Sequence, residues 1–111
     1  MDDVQAQQLA KREALFRATN EEIARVDGDF SGEGENLEIV CECARDGCSA
    51  LITVSHFEYT QARGEPRRFL LVPGHELSEL ERVVSRHDGF VVVEKEAPGA
   101  VTLVEETDPR T

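Results

Sequence analysis

The cysteines of this 111-residue chain lie close together, at Cys41, Cys43 and Cys48. Thiolates crowded into so short a segment usually hold a metal ion or carry out redox chemistry. Hydrophobicity alternates along residues 37–43, which predicts a strand, and strand side chains repeat every two residues, so Cys41 and Cys43 share one face. An Asp-Gly pair just before Cys48 predicts a tight turn that returns the third thiol to that face. The sequence therefore predicts three converging sulfur ligands that leave one corner of a tetrahedron open.

A histidine is the expected fourth ligand, because structural zinc is bound almost always by four sulfur or nitrogen donors. His75 is the preferred candidate, since it follows a Pro-Gly pair in a loop at the end of a predicted strand. His56, in the first turn of a predicted helix, and His87, beside a predicted hairpin turn, are alternatives. A water molecule or a carboxylate could also complete the site, or the cysteines could bind no metal and pack as small buried hydrophobes. The sequence thus predicts zinc bound by Cys41, Cys43, Cys48 and His75.

Three functions are compatible with such a site. A zinc-stabilised protein-interaction or regulatory module needs only a closed site. A thiol or zinc redox sensor would use the same cysteines, because oxidation can form a strained disulfide and release the metal. A small zinc hydrolase would keep a water on the metal and need a general base, for which Glu76 is the candidate. The sequence contains no P-loop, no Gly-x-Gly-x-x-Gly and no His-Glu-x-x-His motif, which favours the interaction module over an enzyme.

Charge and composition narrow the class of partner. The formal net charge is −11, and acidic residues are concentrated around the cysteines and in the C-terminal tail. Such a surface repels phosphate backbones and anionic lipids, so we expect a protein partner and neither nucleic acid nor membrane. No apolar run approaches the roughly 18 residues that span a bilayer, and the first residues do not resemble a secretory signal. An odd set of clustered cysteines suits the reducing cytoplasm.

Residues 1–26 predict a long N-terminal helix, starting near residue 3, because they contain no Gly or Pro and many strong helix formers. Gly28 is expected just past its end. Apolar residues at a spacing of seven form a stripe along the helix. This stripe is expected either to face the core or to pair with a second copy in a homodimer. Its residues are Leu9, Phe16 and Ile23, with Leu15 and Val26 beside them.

The rest of the chain divides into three parts. Residues 27–36, with three Gly and four acids, predict a flexible acidic connector. Residues 37–104 predict a zinc-bound α/β core, and residues 105–111 a tail. The elements expected after the cysteines are a strand, a short helix, a strand and a hairpin, over 51–54, 55–63, 67–72, and 81–87 with 90–96. The expected fold class is α+β, in which the long helix precedes a small, mostly antiparallel sheet with a short helix, pinned by the zinc site.

Particular patterns support these elements. Ser55 and Glu58 form a capping-box pattern, which predicts a helix that buries Phe57 and Ala62. An Asp-Gly pair between two valine-rich segments predicts a two-residue hairpin turn. A second capping-box pattern predicts a competing helix over 79–85. Residues 101–104 predict an added edge strand after a Pro-Gly pair.

Several segments also resemble a known family. They are Leu-Phe-Arg with Asn-Glu in the N-terminal helix, Cys-x-Cys-x4-Cys, Arg-Phe, Val-Pro-Gly-His-Glu at 72–76, and Glu-Arg-Val-Val through His-Asp-Gly-Phe-Val-Val-Val-Glu-Lys at 81–95. Their order and spacing resemble a family of small uncharacterised actinobacterial proteins. The resemblance covers nearly the whole chain apart from the connector and the extreme tail. It implies no activity, but it pairs the Pro-Gly-His-Glu segment with the cysteine motif, which bears on the fourth zinc ligand.

Overall fold

The structure, a computed structural model, describes residues 1–31 and 36–110, and it confirms the α+β fold class. Residues 32–35, in the predicted connector, lie outside the described residues. No helix in the described ranges is long and apolar enough to cross a membrane. The elements in chain order are α1 (Asp3–Ser31), β1 (Asn36–Val40), β2 (Leu51–Ser55), α2 (His56–Arg63), β3 (Arg68–Leu71), β4 (Glu81–His87), β5 (Phe90–Lys95) and α3 (Pro98–Glu106).

Helix α1 is longer than predicted. It continues to Ser31, so the first residues of the predicted connector are helical. Gly28 does not end the helix, because a single Gly in a helix costs only about 1 kcal/mol relative to Ala.

The buried face of α1 also differs from the predicted stripe. Leu9 and Ile23 only pack at the margin of the core, and Phe16 is half-buried. At 100° per residue, the predicted stripe lies about 80° from the centre of the buried face. That face combines small and polar side chains at spacings of four and three residues. Its members are Ala6, Ala10, Glu13, Arg17, Asn20 and Ala24. The alanines let the helix approach its neighbours closely, and the polar side chains are paired inside the protein.

The strands form two antiparallel sheets in place of the one expected. Strands β1 and β2 pair with Leu37 opposite Val54 and Ile39 opposite Ile52. The second sheet has the order β3-β5-β4. Its β4–β5 hairpin turns at Gly89, whose φ of +83° favours glycine, so the predicted hairpin is confirmed. The competing helix over 79–85 is wrong, because β4 occupies most of this segment and pairs along β5.

Helix α2 begins with the predicted capping box. Ser55 Oγ accepts a hydrogen bond of 3.0 Å from the Glu58 N–H, and the Ser55 N–H donates one of 2.9 Å to Glu58 Oε1. The buried residues were only partly predicted. Ala62 is buried as expected, but Phe57 is 68% exposed. Tyr59 is buried in its place, since it shares the inward face of the helix with Ala62.

The prediction of an edge strand over 101–104 is wrong, because these residues belong to helix α3. Pro98 occupies the first turn, where its missing N–H costs no helical hydrogen bond. Gly99 lies against α1, so closely that a Cβ there would be 3.0 Å from the Asp3 carbonyl oxygen. Packing between α3 and α1 therefore outweighs the strand preference of the valines in this segment.

Candidate metal centre

The two cysteines of the strand face lie where alternation predicted. Leu37, Ile39, Cys41 and Cys43 are all buried. Regular pairing of β1 ends one residue before Cys41, but the Cys41 N–H still donates a hydrogen bond of 3.0 Å to the Ala50 carbonyl. The strand geometry is thereby extended, so both thiols point into the same interior space.

A tight turn brings the third thiol back. The Cys48 N–H donates to the Arg45 carbonyl at 3.3 Å, and Gly47 has a φ of +74°, which a residue with a Cβ rarely adopts. The predicted Asp-Gly turn is thus present. Cys48 is half-buried at the mouth of the site.

The loop after β3 supplies the histidine. The His75 N–H donates to the Val72 carbonyl at 3.0 Å, and Gly74 has a φ of +91°, so the chain reverses just before the imidazole. Arg45 Nη2 donates a hydrogen bond of 2.9 Å to the Gly74 carbonyl. This bond joins the loop that carries His75 to the turn that carries Cys48.

The four predicted side chains meet in one cluster, called here the cysteine cluster: Cys41, Cys43, Cys48 and His75. Their candidate ligand atoms all lie within 4.8 Å of one another. His75 Nδ1 is 3.6 Å from the sulfurs of Cys41 and Cys48. A tetrahedron with usual zinc–sulfur and zinc–nitrogen bonds has an edge of about 3.6 Å between sulfur and nitrogen. The cluster is therefore compatible with a bound metal ion.

The other two histidines are not members of the cluster. His87 stacks on Phe90, with ring centroids 4.5 Å apart, and its Nε2 lies 2.8 Å from Ser85 Oγ. His56 is the first residue of α2 and is likewise not in the group of donors that could hold a metal. Of the three candidates, only His75 faces the thiols.

Each sulfur also receives a hydrogen bond from the backbone. The Val72 N–H donates to Cys41 Sγ at 3.2 Å. The backbone of Arg45 donates to Cys43, and that of Ala50 donates to Cys48. Donors directed at sulfur favour the thiolate, which is the form that binds metal.

Burial and hydrogen bonding affect the three thiols differently. Burial raises the pKa of Cys41, against the lowering effect of the Val72 N–H. Burial likewise raises the pKa of Cys43, against the hydrogen bond from Arg45. For Cys48, burial is outweighed by hydrogen bonds from the Ala50 backbone and the neighbouring thiols, so its pKa is lowered. A metal cation would reverse the balance at the two buried thiols, because a coordinating thiol is deprotonated outright.

Glu42 lies between the two strand cysteines and is one of the acidic residues concentrated around them, but it is fully buried. Its carboxylate accepts hydrogen bonds from Asn20 Nδ2 at 2.7 Å and from the Leu70 N–H at 3.0 Å, and it forms an ion pair with Arg63. The Glu42 N–H also donates to the Leu70 carbonyl at 2.9 Å, which connects the cysteine segment to β3. A period of two places Glu42 on the face opposite the cysteines, but it does not tell whether that face meets solvent or another element.

Asn20 connects α1 to the same segment. Its side-chain amide donates to the Val40 carbonyl at 2.8 Å and accepts from the Val40 N–H at 2.9 Å. The helix is thus hydrogen-bonded to the residue that directly precedes Cys41. Sequence reasoning missed this contact, although a polar residue at helical spacing between alanines was an available signal.

A second buried polar group, called here the Lys95 cluster, consists of Lys95, Glu13 and Glu81. The ammonium of Lys95 donates a hydrogen bond to Glu81 and lies 2.7 Å from Glu13 Oε1. It also lies 4.5 Å from the centre of the Phe69 ring. Burial raises the pKa of Glu13 to about 8, against the opposing attraction of Lys95. Two carboxylates share one ammonium, so a proton on Glu13 leaves this group without net charge.

Glu76, the candidate general base, is not in the cysteine cluster. Its Oε1 accepts a hydrogen bond of 2.9 Å from the Gly74 N–H in its own loop. This contact shapes the turn before His75, which is a structural task.

No protein-family model, no curated protein and no solved structure matches this chain. The resemblance to a family of small actinobacterial proteins therefore remains a prediction. What the chain binds has to be inferred from the four donor atoms and their surroundings.

Proposed function

We propose that Cys41, Cys43, Cys48 and His75 bind one zinc ion, and that the chain is a small cytoplasmic module which zinc stabilises for protein interaction or regulation. The observation that supports this most is the convergence of three thiols and one imidazole from two separate loops. Soft thiolate ligands with imidazole in a tetrahedral set suit zinc, whereas calcium and magnesium prefer oxygen ligands.

The donor set favours a structural metal over a catalytic one. A structural zinc has four protein ligands, while a catalytic zinc usually has three and keeps a water in the fourth position. Four protein donors would fill a tetrahedron here. In addition, the carboxylate of Glu76 is engaged by the Gly74 N–H. Both points argue against the hydrolase alternative.

A zinc ion would stabilise this fold by joining distant parts of the chain. His75 lies 34 residues after Cys41 and 27 after Cys48. Because the ion would join these loops only in the folded chain, its binding would stabilise the folded state and not the unfolded one. The same ion would fix the cysteine segment, which Glu42 and Asn20 connect to β3 and α1.

A protein is the partner class that the charge supports. The net charge of −11 disfavours phosphate backbones and anionic membranes. Among the described interior residues, Glu42 pairs with Arg63, and Glu13 and Glu81 pair with Lys95. Buried Arg17 instead donates hydrogen bonds to the Pro66 and Val104 carbonyls. Because these charges are buried, they interact within the fold and cannot contact a partner. We therefore assign recognition of a partner to the exposed side chains.

The test is metal content of the purified protein, measured by elemental analysis. We expect one zinc per chain. His75→Ala should weaken zinc retention sharply against a chelator, because it removes one of four ligands. His87→Ala is the matched control and should retain zinc as the wild type does, since His87 contacts Phe90 and Ser85 instead. His75→Cys should restore most of the retention, because a thiolate is an equally suitable ligand.

Two results would contradict this proposal. Wild-type protein that contains no zinc and cannot be loaded with it would remove the metal altogether. Full zinc affinity in His75→Ala would mean that the fourth position is open or filled otherwise, which would revive the hydrolase. Elemental analysis repeated after mild oxidation addresses the redox alternative, since a sensor would release its zinc reversibly.

A further inference from the structure

The outer face of α1 carries three exposed apolar side chains in a regular row. Val4 is 64% exposed, Leu15 69% and Val26 41%. They are 11 residues apart, and at 100° per residue such a step returns to within about 20° of the same direction. The row therefore runs almost parallel to the helix axis. It lies about 180° from the centre of the buried face, pointing directly away from the core.

The positions between these residues complete a symmetric pattern. Exposed polar residues occupy each intervening turn of the row. The full row, called here the outer row, consists of Val4, Gln8, Lys11, Leu15, Thr19, Glu22 and Val26. Its spacings of four, three, four, four, three and four are the same in both directions. Leu15 is the centre of this symmetry, so the pattern superimposes on itself when the helix is reversed.

We propose that the outer row is the interface of a homodimer, in which the α1 helices of two copies lie antiparallel with the two-fold axis at Leu15. A two-fold interface must be complementary to itself. The outer row can meet this condition, because its spacings are the same in both directions from Leu15. Leu15 then meets Leu15 of the partner subunit, and Val4 meets Val26 of the partner subunit. Val26 lies 22 residues after Val4, so the row spans about 33 Å.

The polar positions are complementary in the same register. Gln8 faces Glu22 of the partner subunit, so an amide meets a carboxylate. Lys11 faces Thr19 of the partner subunit and lies about 4.5 Å along the axis from the level of the partner's Glu22. No like charges are opposed, although the chain as a whole carries −11. Lys11 has no ion pair in the described part of the chain, whereas Glu22 pairs with Arg25 on its own helix. The antiparallel macrodipoles also attract each other weakly.

A groove beside Leu15 adds apolar surface to this interface. It has a volume of about 380 Å³ and lies between α1 and α3. Its lining residues are Lys11, Ala14, Leu15, Ala18, Leu103 and Thr107. The leucine of the partner subunit can contact this surface as well as the row, which increases the apolar area removed from water at the centre of the dimer.

This surface differs from the one that the sequence suggested for a homodimer. The stripe of Leu9, Phe16 and Ile23 is largely occupied by the margin of the core. The outer row does not include any residue of the cysteine cluster. The dimer is therefore independent of the proposed zinc site, and the two proposals can fail separately.

The test is sedimentation equilibrium of the zinc-loaded wild type over a wide range of concentration. We expect a concentration-dependent monomer–dimer equilibrium. Leu15→Glu places two carboxylates together on the two-fold axis and should raise the dimer dissociation constant by about a hundredfold. Phe57→Glu is the matched control, because Phe57 is as exposed as Leu15 but lies on α2. It should leave association unchanged. Circular dichroism and zinc content verify that both variants fold.

A charge exchange tests the antiparallel register. Lys11→Glu brings a carboxylate near Glu22 of the partner subunit and should weaken the dimer about tenfold. Adding Glu22→Lys should restore the wild-type constant. In a parallel dimer Lys11 would face Lys11 and Glu22 would face Glu22, so Lys11→Glu would exchange one like-charged pair for another and would not weaken the dimer tenfold. That result would overturn the arrangement. A wild type that stays monomeric at the highest concentrations, or a Leu15→Glu variant that dimerises like the wild type, would overturn the interface itself.

Discussion

The cysteine cluster and the Lys95 cluster both place polar side chains in the interior, but they neutralise charge differently. The Lys95 cluster contains its own cation, since one ammonium serves Glu13 and Glu81. The cysteine cluster brings together four donors of the kind that bind a cation and contains no cationic side chain of its own. The first cluster is thus complete as soon as the chain folds. We infer that the second is completed by an ion from outside, which links folding to metal supply.

The two clusters should therefore respond to different treatments. A buried ion pair is weak evidence for net stabilisation, because desolvation offsets much of the attraction, yet removing one partner is costly. A structural metal contributes its binding free energy to folding directly. Chelators and thiol variants should act on the cysteine cluster alone, and substitutions that change the charge at Glu13 or Lys95 should act on the Lys95 cluster alone.

The largest effect is expected at the cysteine cluster. Cys43→Ser, or removal of zinc with a chelator, should lower the free energy of unfolding by more than about 5 kcal/mol, because the folded state loses its bound metal. Denaturant unfolding with and without zinc measures this. Ser49→Ala, an exposed change next to Cys48, should have no effect. A metal-free protein of unchanged stability would contradict the proposed role of zinc. Neither cluster would then need an external ion for its stability.

A smaller effect is expected when the Lys95 cluster loses its cation. Lys95→Met leaves Glu13 and Glu81 buried without a counter-charge and should lower the free energy of unfolding by about 3–5 kcal/mol. Arg82→Met removes an exposed partner of Glu94 and should cost no more than about 1 kcal/mol. Zinc content should stay at the wild-type level in both variants. Loss of zinc from Lys95→Met would show that the two clusters are coupled, and would contradict the inference that they are independent.

The effect that is smallest over a single pH unit is the dependence of stability on pH. Burial raises the pKa of folded Glu13 from 4.5 to about 8, so the folded protein binds more protons than the unfolded chain between these values. The free energy of unfolding should fall as the pH rises through this interval, by at most about 1.4 kcal/mol per pH unit. Glu13→Gln resembles the protonated acid, so its free energy of unfolding should lack this fall with pH. The variant should therefore be more stable than the wild type above pH 8.

Denaturant unfolding of both zinc-loaded proteins between about pH 6 and 9 measures this difference, because the thiols titrate alike in the two and cancel. If the stability of the two proteins changed with pH in parallel, Glu13 would be ionised in the folded protein, and the Lys95 cluster would carry a net charge after all.

Sequence patterns with a short period were the most informative. Alternation along residues 37–43 placed Cys41 and Cys43 on one buried face, and the Asp-Gly and Pro-Gly pairs marked the turns that bring Cys48 and His75 to it. These features depend on local backbone geometry, which nearby residues determine. The convergence of the two loops was predicted as a consequence.

Contacts between distant elements were not predictable in this way. The core-facing side of α1 consists of Ala and polar residues, and the larger Leu9, Phe16 and Ile23 pointed to a different face. Whether a charged residue is buried depends on a partner elsewhere in the chain, as Arg63 is for Glu42. The helical state of α3 likewise depends on its packing against α1, since its valines favour a strand.

The two hydrogen bonds of Asn20 have a consequence for how copies of the chain behave when they are crowded. The N–H and C=O of Val40 point away from β2, and an unpaired strand margin of this kind can recruit a strand of another molecule. The amide of Asn20 occupies both groups. Two residues further on, the N–H of Glu42 is taken by the Leu70 carbonyl. These bonds occupy the backbone groups next to the cysteines on that side of the β1–β2 sheet, so we expect Asn20 to hinder the addition of a strand from another molecule at this margin.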